Sequence, residues 1–208
     1  MTQSQDDVQY SPEMELVDTS KSSIKVRKVA TAGILAALSL TAFSPIASFI
    51  PRIPGWGIAL IDPISFCWII AFLLGGIEVG LLTTFAGSVG LFFFDPFTPV
   101  GPIFKILATI PMIIIPWLGM RLRAPDSGGE YLGNIREYAL LMIFGYIVRL
   151  GIMIPLNLLV APIFFPEFST FDVIVYALTI NTTQSILDAL GPFFIVHSSS
   201  LFKHFGMW

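Results

Sequence analysis

Six stretches of this sequence, at about 29–50, 59–77, 79–94, 99–120, 137–160 and 172–197, are apolar over nearly the length that a helix needs to cross a bilayer. That length is about 20 residues for a hydrocarbon core of roughly 30 Å. The composition agrees: 55% of the 208 residues are hydrophobic and 12% are charged, whereas a soluble domain carries about 25% charged residues. The missing charge excludes a water-solvated globule. It also excludes a nucleic-acid binder working through a basic face, because 11 Lys and Arg stand against 14 Asp and Glu. Cys67 is the single cysteine, so neither a disulfide framework nor a cysteine-based metal site is available. The fold class that follows is all-α, a polytopic membrane protein with six transmembrane helices.

Residues 1–23 are polar and rich in acid (Asp6, Asp7, Glu13, Glu15, Asp18), and they read as a disordered cytoplasmic tail ahead of a membrane domain over 24–204. Two breaks between apolar stretches have the Gly/Pro chemistry that closes helix hairpins: Gly75-Gly76-Ile77-Glu78 and Asp95-Pro96-Phe97-Thr98-Pro99. The third stretch is short and rich in Phe. The longest polar connection runs from Arg121 to Arg136 through Pro125-Asp126-Ser127-Gly128-Gly129. With the N-terminus inside, Lys21, Lys25, Arg27, Lys28, Arg121, Arg123, Arg136 and Lys203 are cytoplasmic, against Arg52 alone outside. This bias predicts both termini inside a multi-pass protein of the cell membrane.

The loops expected outside are made of Pro and aromatic residues, at 51–57, 95–99 and 162–168. They suit either an interfacial aromatic belt or a rigid apolar lid over a pocket, with Trp56 between Gly55 and Gly57 as the lid candidate. A charge near mid-bilayer costs roughly 2.5–3.5 kcal/mol, so each one needs a partner or a purpose. Lys105 lies close enough to the end of its span to snorkel, or it faces a ligand. Arg149 lies mid-span, where it pairs with Asp188 or serves a solute. Asn181, Gln184 and Asp188 fall at i, i+3 and i+7 on one face of the sixth stretch. Tyr146, Arg149, Met153 and Asn157 share a face of the fifth. Two polar faces in an apolar bundle are either interhelical glue or the wall of a solute cavity.

Small residues cover much of the first span, with Ala32 and Ala36 in one row and Gly33, Ala37 and Thr41 in another. Such rows let a second helix approach closely. There is no G-x-x-x-x-G-K-[ST], so the chain cannot itself hydrolyse ATP through a P-loop. His197 and His204 have no ligand-spaced companions, so neither catalytic nor metal-binding residues nor a cofactor is expected. A small self-sufficient proton-coupled permease using Asp188 or Arg149 remains an alternative, as does a membrane enzyme or assembly factor.

Six spans in a chain of this size, with Ala32-x-x-x-Ala36 on the first, resemble an S component, the substrate-binding membrane subunit of energy-coupling factor (ECF) transporters. The stretch Ile147-Val148-Arg149-Leu150-Gly151-Ile152-Met153 with Asn157, the turn Leu74-Gly75-Gly76, and Asn181 early in the sixth span are similar to the riboflavin-type members. The resemblance covers about 24–204. Those members tend to carry a lysine after the asparagine of the sixth helix, and Asn181-Thr182-Thr183-Gln184 has none. What the resemblance implies is capture of a water-soluble vitamin-like metabolite near the outer face. Trp56, Lys105, Arg149, Asn157, Asn181, Gln184 and Asp188 would line the site. Ala32 and Ala36 would meet a transmembrane coupling protein driven by two cytoplasmic ATPases.

Overall fold

The computed structural model describes residues 12–46, 62–199 and 201–208, with side chains of the first helix described over 22–41. The described residues form six α-helices: α1 (Pro12–Ile46), α2 (Pro63–Phe94), α3 (Val100–Arg123), α4 (Ile135–Phe164), α5 (Thr170–Phe193) and the short α6 (Leu201–Phe205). A 3-10 segment, Gly128–Gly133, precedes α4, and a π-helical turn, Phe194–Ser198, follows α5. Four helical stretches, Pro63–Phe94, Val100–Arg123, Ile135–Phe164 and Thr170–Ser198, are long and apolar enough to cross a membrane.

The helix α2 is folded back on itself. Gly76, in the break predicted at Gly75-Gly76, has φ 75° and ψ −168°, a conformation outside the helical region and open chiefly to glycine. A Cβ placed on Gly80 would lie 2.7 Å from that of Phe72, and one on Gly87 would lie 2.6 Å from the Trp68 indole nitrogen. In a straight helix those pairs would be separated by about 12 Å and about 28 Å. The segments 63–75 and 77–94 are therefore the two arms of a hairpin, and Ile64, Trp68 and Leu91 form one buried cluster between them.

Asp62 begins the hairpin as an N-cap. Its Oδ1 accepts from the Ile64 N–H at 3.0 Å, and Pro63 fills the first helical position, where a missing donor costs nothing. The arms pack against α1, where the Trp68 indole N–H donates to Ser39 Oγ at 3.2 Å and Lys28 pairs with Glu78 at 2.9 Å. The helices α3 and α4 approach closely at Gly145, where a Cβ would come within 3.1 Å of the Pro111 carbonyl oxygen. The main core joins Ile69, Phe72, Met112, Ile113, Tyr138, Leu141 and Phe193 from α2, α3, α4 and α5.

Both predicted domain limits shift. The helix α1 begins at Pro12, so the part of the expected disordered tail over 12–23 is helical; no glycine or proline interrupts the chain between Pro12 and Gly33. At the other limit, residues beyond 204 pack into the bundle. The turn at Gly76 leaves the last carbonyls of its first arm without helical donors. The Met207 backbone N–H donates to Leu74 O and the Trp208 indole N–H to Leu73 O, each at 2.8 Å. Trp208 meets Phe72 edge to face and lies so close to Gly129 that a Cβ there would sit 2.2 Å from its indole nitrogen. Replacing Trp208 by alanine leaves the Leu73 carbonyl unpaired and is expected to lower stability by about 1–3 kcal/mol. Thermal unfolding in detergent measures it, and an unchanged midpoint would show that this contact does not hold the turn.

Candidate functional site: a buried polar cluster

Periodicity decides which side chains meet. The buried residues of α4 run Tyr138, Leu141, Met142, Gly145, Arg149, Met153, the stripe that a 3.6-residue repeat turns toward one neighbour. On α5 the buried set includes Ala177, Ile180, Asn181, Ser185 and Asp188. The two stripes face each other and place Arg149 against three acceptors. Its Nε–H donates to Asn181 Oδ1 at 2.9 Å, NH1 to Asp188 Oδ2 at 3.0 Å, and NH2 to Gln184 Oε1 at 2.9 Å. Asn181 is held in turn by donating from Nδ2 to Ala177 O at 2.8 Å, which aims its carbonyl oxygen at the guanidinium. Arg149 and Asp188 are 2% and 1% exposed. Two further bonds join α4 to α5: Tyr138 OH donates to Ala189 O at 3.0 Å, and Tyr146 OH and Thr182 Oγ1 share a bond of 2.6 Å.

The cluster continues into α2 and α3. Ser65 Oγ donates to the other Asp188 oxygen at 2.8 Å and lies 3.3 Å from the Asp62 carbonyl oxygen. The Asp62 carboxylate forms an ion pair with Lys105. Four charges from four helical segments thus form two ion pairs, with Ser65 donating to one and lying beside the backbone of Asp62. A buried pair of this kind persists only where good geometry and extra hydrogen bonds offset the desolvation of both ions. Asn181, Gln184 and Ser65 supply those bonds here.

Of the residues proposed from sequence, Arg149, Asn181, Gln184 and Asp188 meet directly, and Lys105 pairs with Asp62 beside them rather than snorkelling. Asn157 is placed apart, about 12 Å along α4 from Arg149. Its amide donates to Met153 O of its own helix at 2.7 Å. Trp56 lies outside the described residues. Asp62 and Ser65 are contributors that sequence reasoning passed over. The signal for Asp62 was an acid directly before Pro63 at the head of an apolar stretch, the mark of a helix N-cap. Ser65 carries no such signal.

Ala32 and Ala36 correct an expectation. Both are buried against α2, where Ala32 packs with Ala71 and Val79. The hairpin has already used this small-residue row, so it is not a free face for a partner. The neighbouring row is open: Gly33, Ala37 and Thr41 are exposed, and a Cβ on Gly33 would meet nothing within 4 Å.

No protein-family model matches this chain, and no curated protein or solved structure matches it either.

The loops at 95–99 and 162–168 converge at the end of the bundle opposite Gly76. Phe97 meets Phe164 edge to face, with ring centroids 6.4 Å apart. No group of three His, Cys, Asp or Glu side chains that could hold a metal ion occurs among the described residues. Chemically, the cluster offers a fixed guanidinium. Of the five N–H donors of Arg149, three are used, and two have no partner among the described residues. Ser185 Oγ, buried on the same face of α5, is also without one.

Proposed function

We propose that this chain is the substrate-binding subunit of an ECF-type transporter in the cell membrane, with six crossings and both termini cytoplasmic. It captures a water-soluble vitamin or related metabolite, of riboflavin-like character, at its outer face. Partner subunits, a transmembrane coupling protein and two cytoplasmic ATPases, then drive uptake. The observation that carries this reading is Arg149: a guanidinium deep in the bundle, fixed by three acceptors on α5, with two donors left over among the described residues. Packing alone needs no spare donors, because unpaired buried N–H groups are costly. A planar solute with carbonyl or ring-nitrogen acceptors would use them. The reversal at Gly76 gives Pro63–Phe94 two arms, of 13 and 18 residues, beside α1 and the three helices that follow; the proposed six crossings count each arm once. The aromatic contact of Phe97 with Phe164 supports a lid at the end expected to face outward. The partner would meet the open row Gly33, Ala37 and Thr41.

Protein purified from its native membrane is expected to release a small heterocyclic metabolite on denaturation, detected by mass spectrometry. Consistently empty protein that shows no thermal shift with any vitamin would sink the capture reading. Uptake abolished by a protonophore and indifferent to ATP depletion would instead favour a self-sufficient proton-coupled permease working through Asp188.

A further inference from the structure

The polar cluster contains two cations and two carboxylates, and they cancel. Lys105 faces Asp62, Arg149 faces Asp188, and Ser65, whose hydroxyl donates to Asp188, lies 3.3 Å from the Asp62 carbonyl oxygen. Three further acids of α2, α4 and α5 are engaged elsewhere: Glu78 with Lys28, Glu137 with Arg123, and Asp172 with Ser169 in a capping box at the start of α5. What the cluster has in surplus is donors rather than charge. Among the described residues, these are the two N–H groups of Arg149 without a partner and the buried hydroxyl of Ser185, which lies one turn from Asp188.

We infer that the ligand of this site is a molecule of zero net charge that presents neutral acceptors, ring carbonyls or ring nitrogens, to Arg149; the inference rests on the capture reading above. An incoming anion meets a guanidinium whose charge is already matched by Asp188. It either adds an unbalanced negative charge to a desolvated site or displaces Asp188, which then keeps only Ser65 as a partner. A cation faces the mirror problem at Asp62, which Lys105 already holds. Removing or adding one charge in such a setting is strongly unfavourable, because the leftover ion has no water to solvate it. A carbonyl oxygen, with two lone pairs, can accept from both remaining Arg149 donors and leaves the balance unchanged. Charge accounting therefore selects the ligand class.

The test uses full-length protein in nanodiscs and two matched probe pairs: riboflavin with riboflavin 5′-phosphate, and nicotinamide with nicotinate. Thermal shift and calorimetry measure binding, and mass spectrometry identifies whatever the denatured protein releases. The expected result is a preference of about 100-fold or more for the neutral member of any pair that binds, and a released metabolite that is uncharged at pH 7. In Asp188→Asn the cluster carries one net positive charge, so the preference is expected to collapse or turn toward the anion. Asp62→Asn makes the same change from the other pair and serves if Asp188→Asn does not fold. Tight binding of an anion or cation to the unmodified protein would overturn the inference and leave capture standing. Unchanged preference in both variants would also overturn it. Protein that is empty and responds to no probe would remove the capture reading and this inference together.

Discussion

Arg149→Leu is expected to lose about 3–5 kcal/mol of stability, the largest single effect at any position in the cluster. The substitution removes three hydrogen bonds, but the greater cost lies in what remains. Asp188 is left buried with only the Ser65 hydroxyl among the described residues, and must either stay ionised without a partner or take up a proton, while Asn181 and Gln184 keep acceptors facing an apolar side chain. The double variant Arg149→Leu with Asp188→Leu is expected to recover much of that loss, because replacing both ions by packed apolar groups is often neutral or better. Thermal unfolding in detergent of the two singles and the double gives the coupling between them. A single variant that unfolds at the parent's midpoint would show that the pair is not formed. The double variant also separates structure from capture: a stable protein that no longer binds solute means the cluster exists for the ligand. A stable protein with undiminished affinity makes it interhelical glue.

Gly76→Ala is expected to cost about 1–3 kcal/mol. Its φ of 75° with ψ of −168° is a combination that an L side chain adopts only under strain, and the added methyl would sit 3.4 Å from the Trp208 ring. The matched control is Gly33→Ala. Gly33 lies inside a helix with open space where the methyl would go, so the substitution is expected to be neutral or to gain about 0.4–1 kcal/mol. Chemical denaturation of both variants against the parent gives the contrast. Equal midpoints for Gly76→Ala and Gly33→Ala would mean that the chain does not reverse at Gly76.

Much of the architecture was legible because membrane segments announce themselves by length and their turns by residue type. The Gly75-Gly76 break read as a hairpin turn, and the structure places the reversal there. Asn181, Gln184 and Asp188 read as one face because a helix repeats every 3.6 residues, and polar side chains in an apolar helix make that phase visible. The pairing of Arg149 with Asp188 was one of two roles that the cost of a buried charge left open, and the structure forms it.

The direction of Ala32 and Ala36 was illegible for the opposite reason. In a bilayer, lipid and protein interior are equally apolar, so a row of small residues carries no mark of which way it faces. Asp62 was hidden by its second role as a helix cap, which gave its position an ordinary explanation. The helical start at Pro12 had no signal either, since polar residues extend a helix as readily as they form a tail.

The two hydrogen bonds that close the end of the hairpin's first arm also set a schedule. The Leu73 carbonyl waits for a donor 135 residues further along the chain. During synthesis, the hairpin Pro63–Phe94 is made more than 100 residues before Met207 and Trp208 exist. The first arm is therefore complete before the donors that close its end have been made, and sealing that end is a late event of assembly.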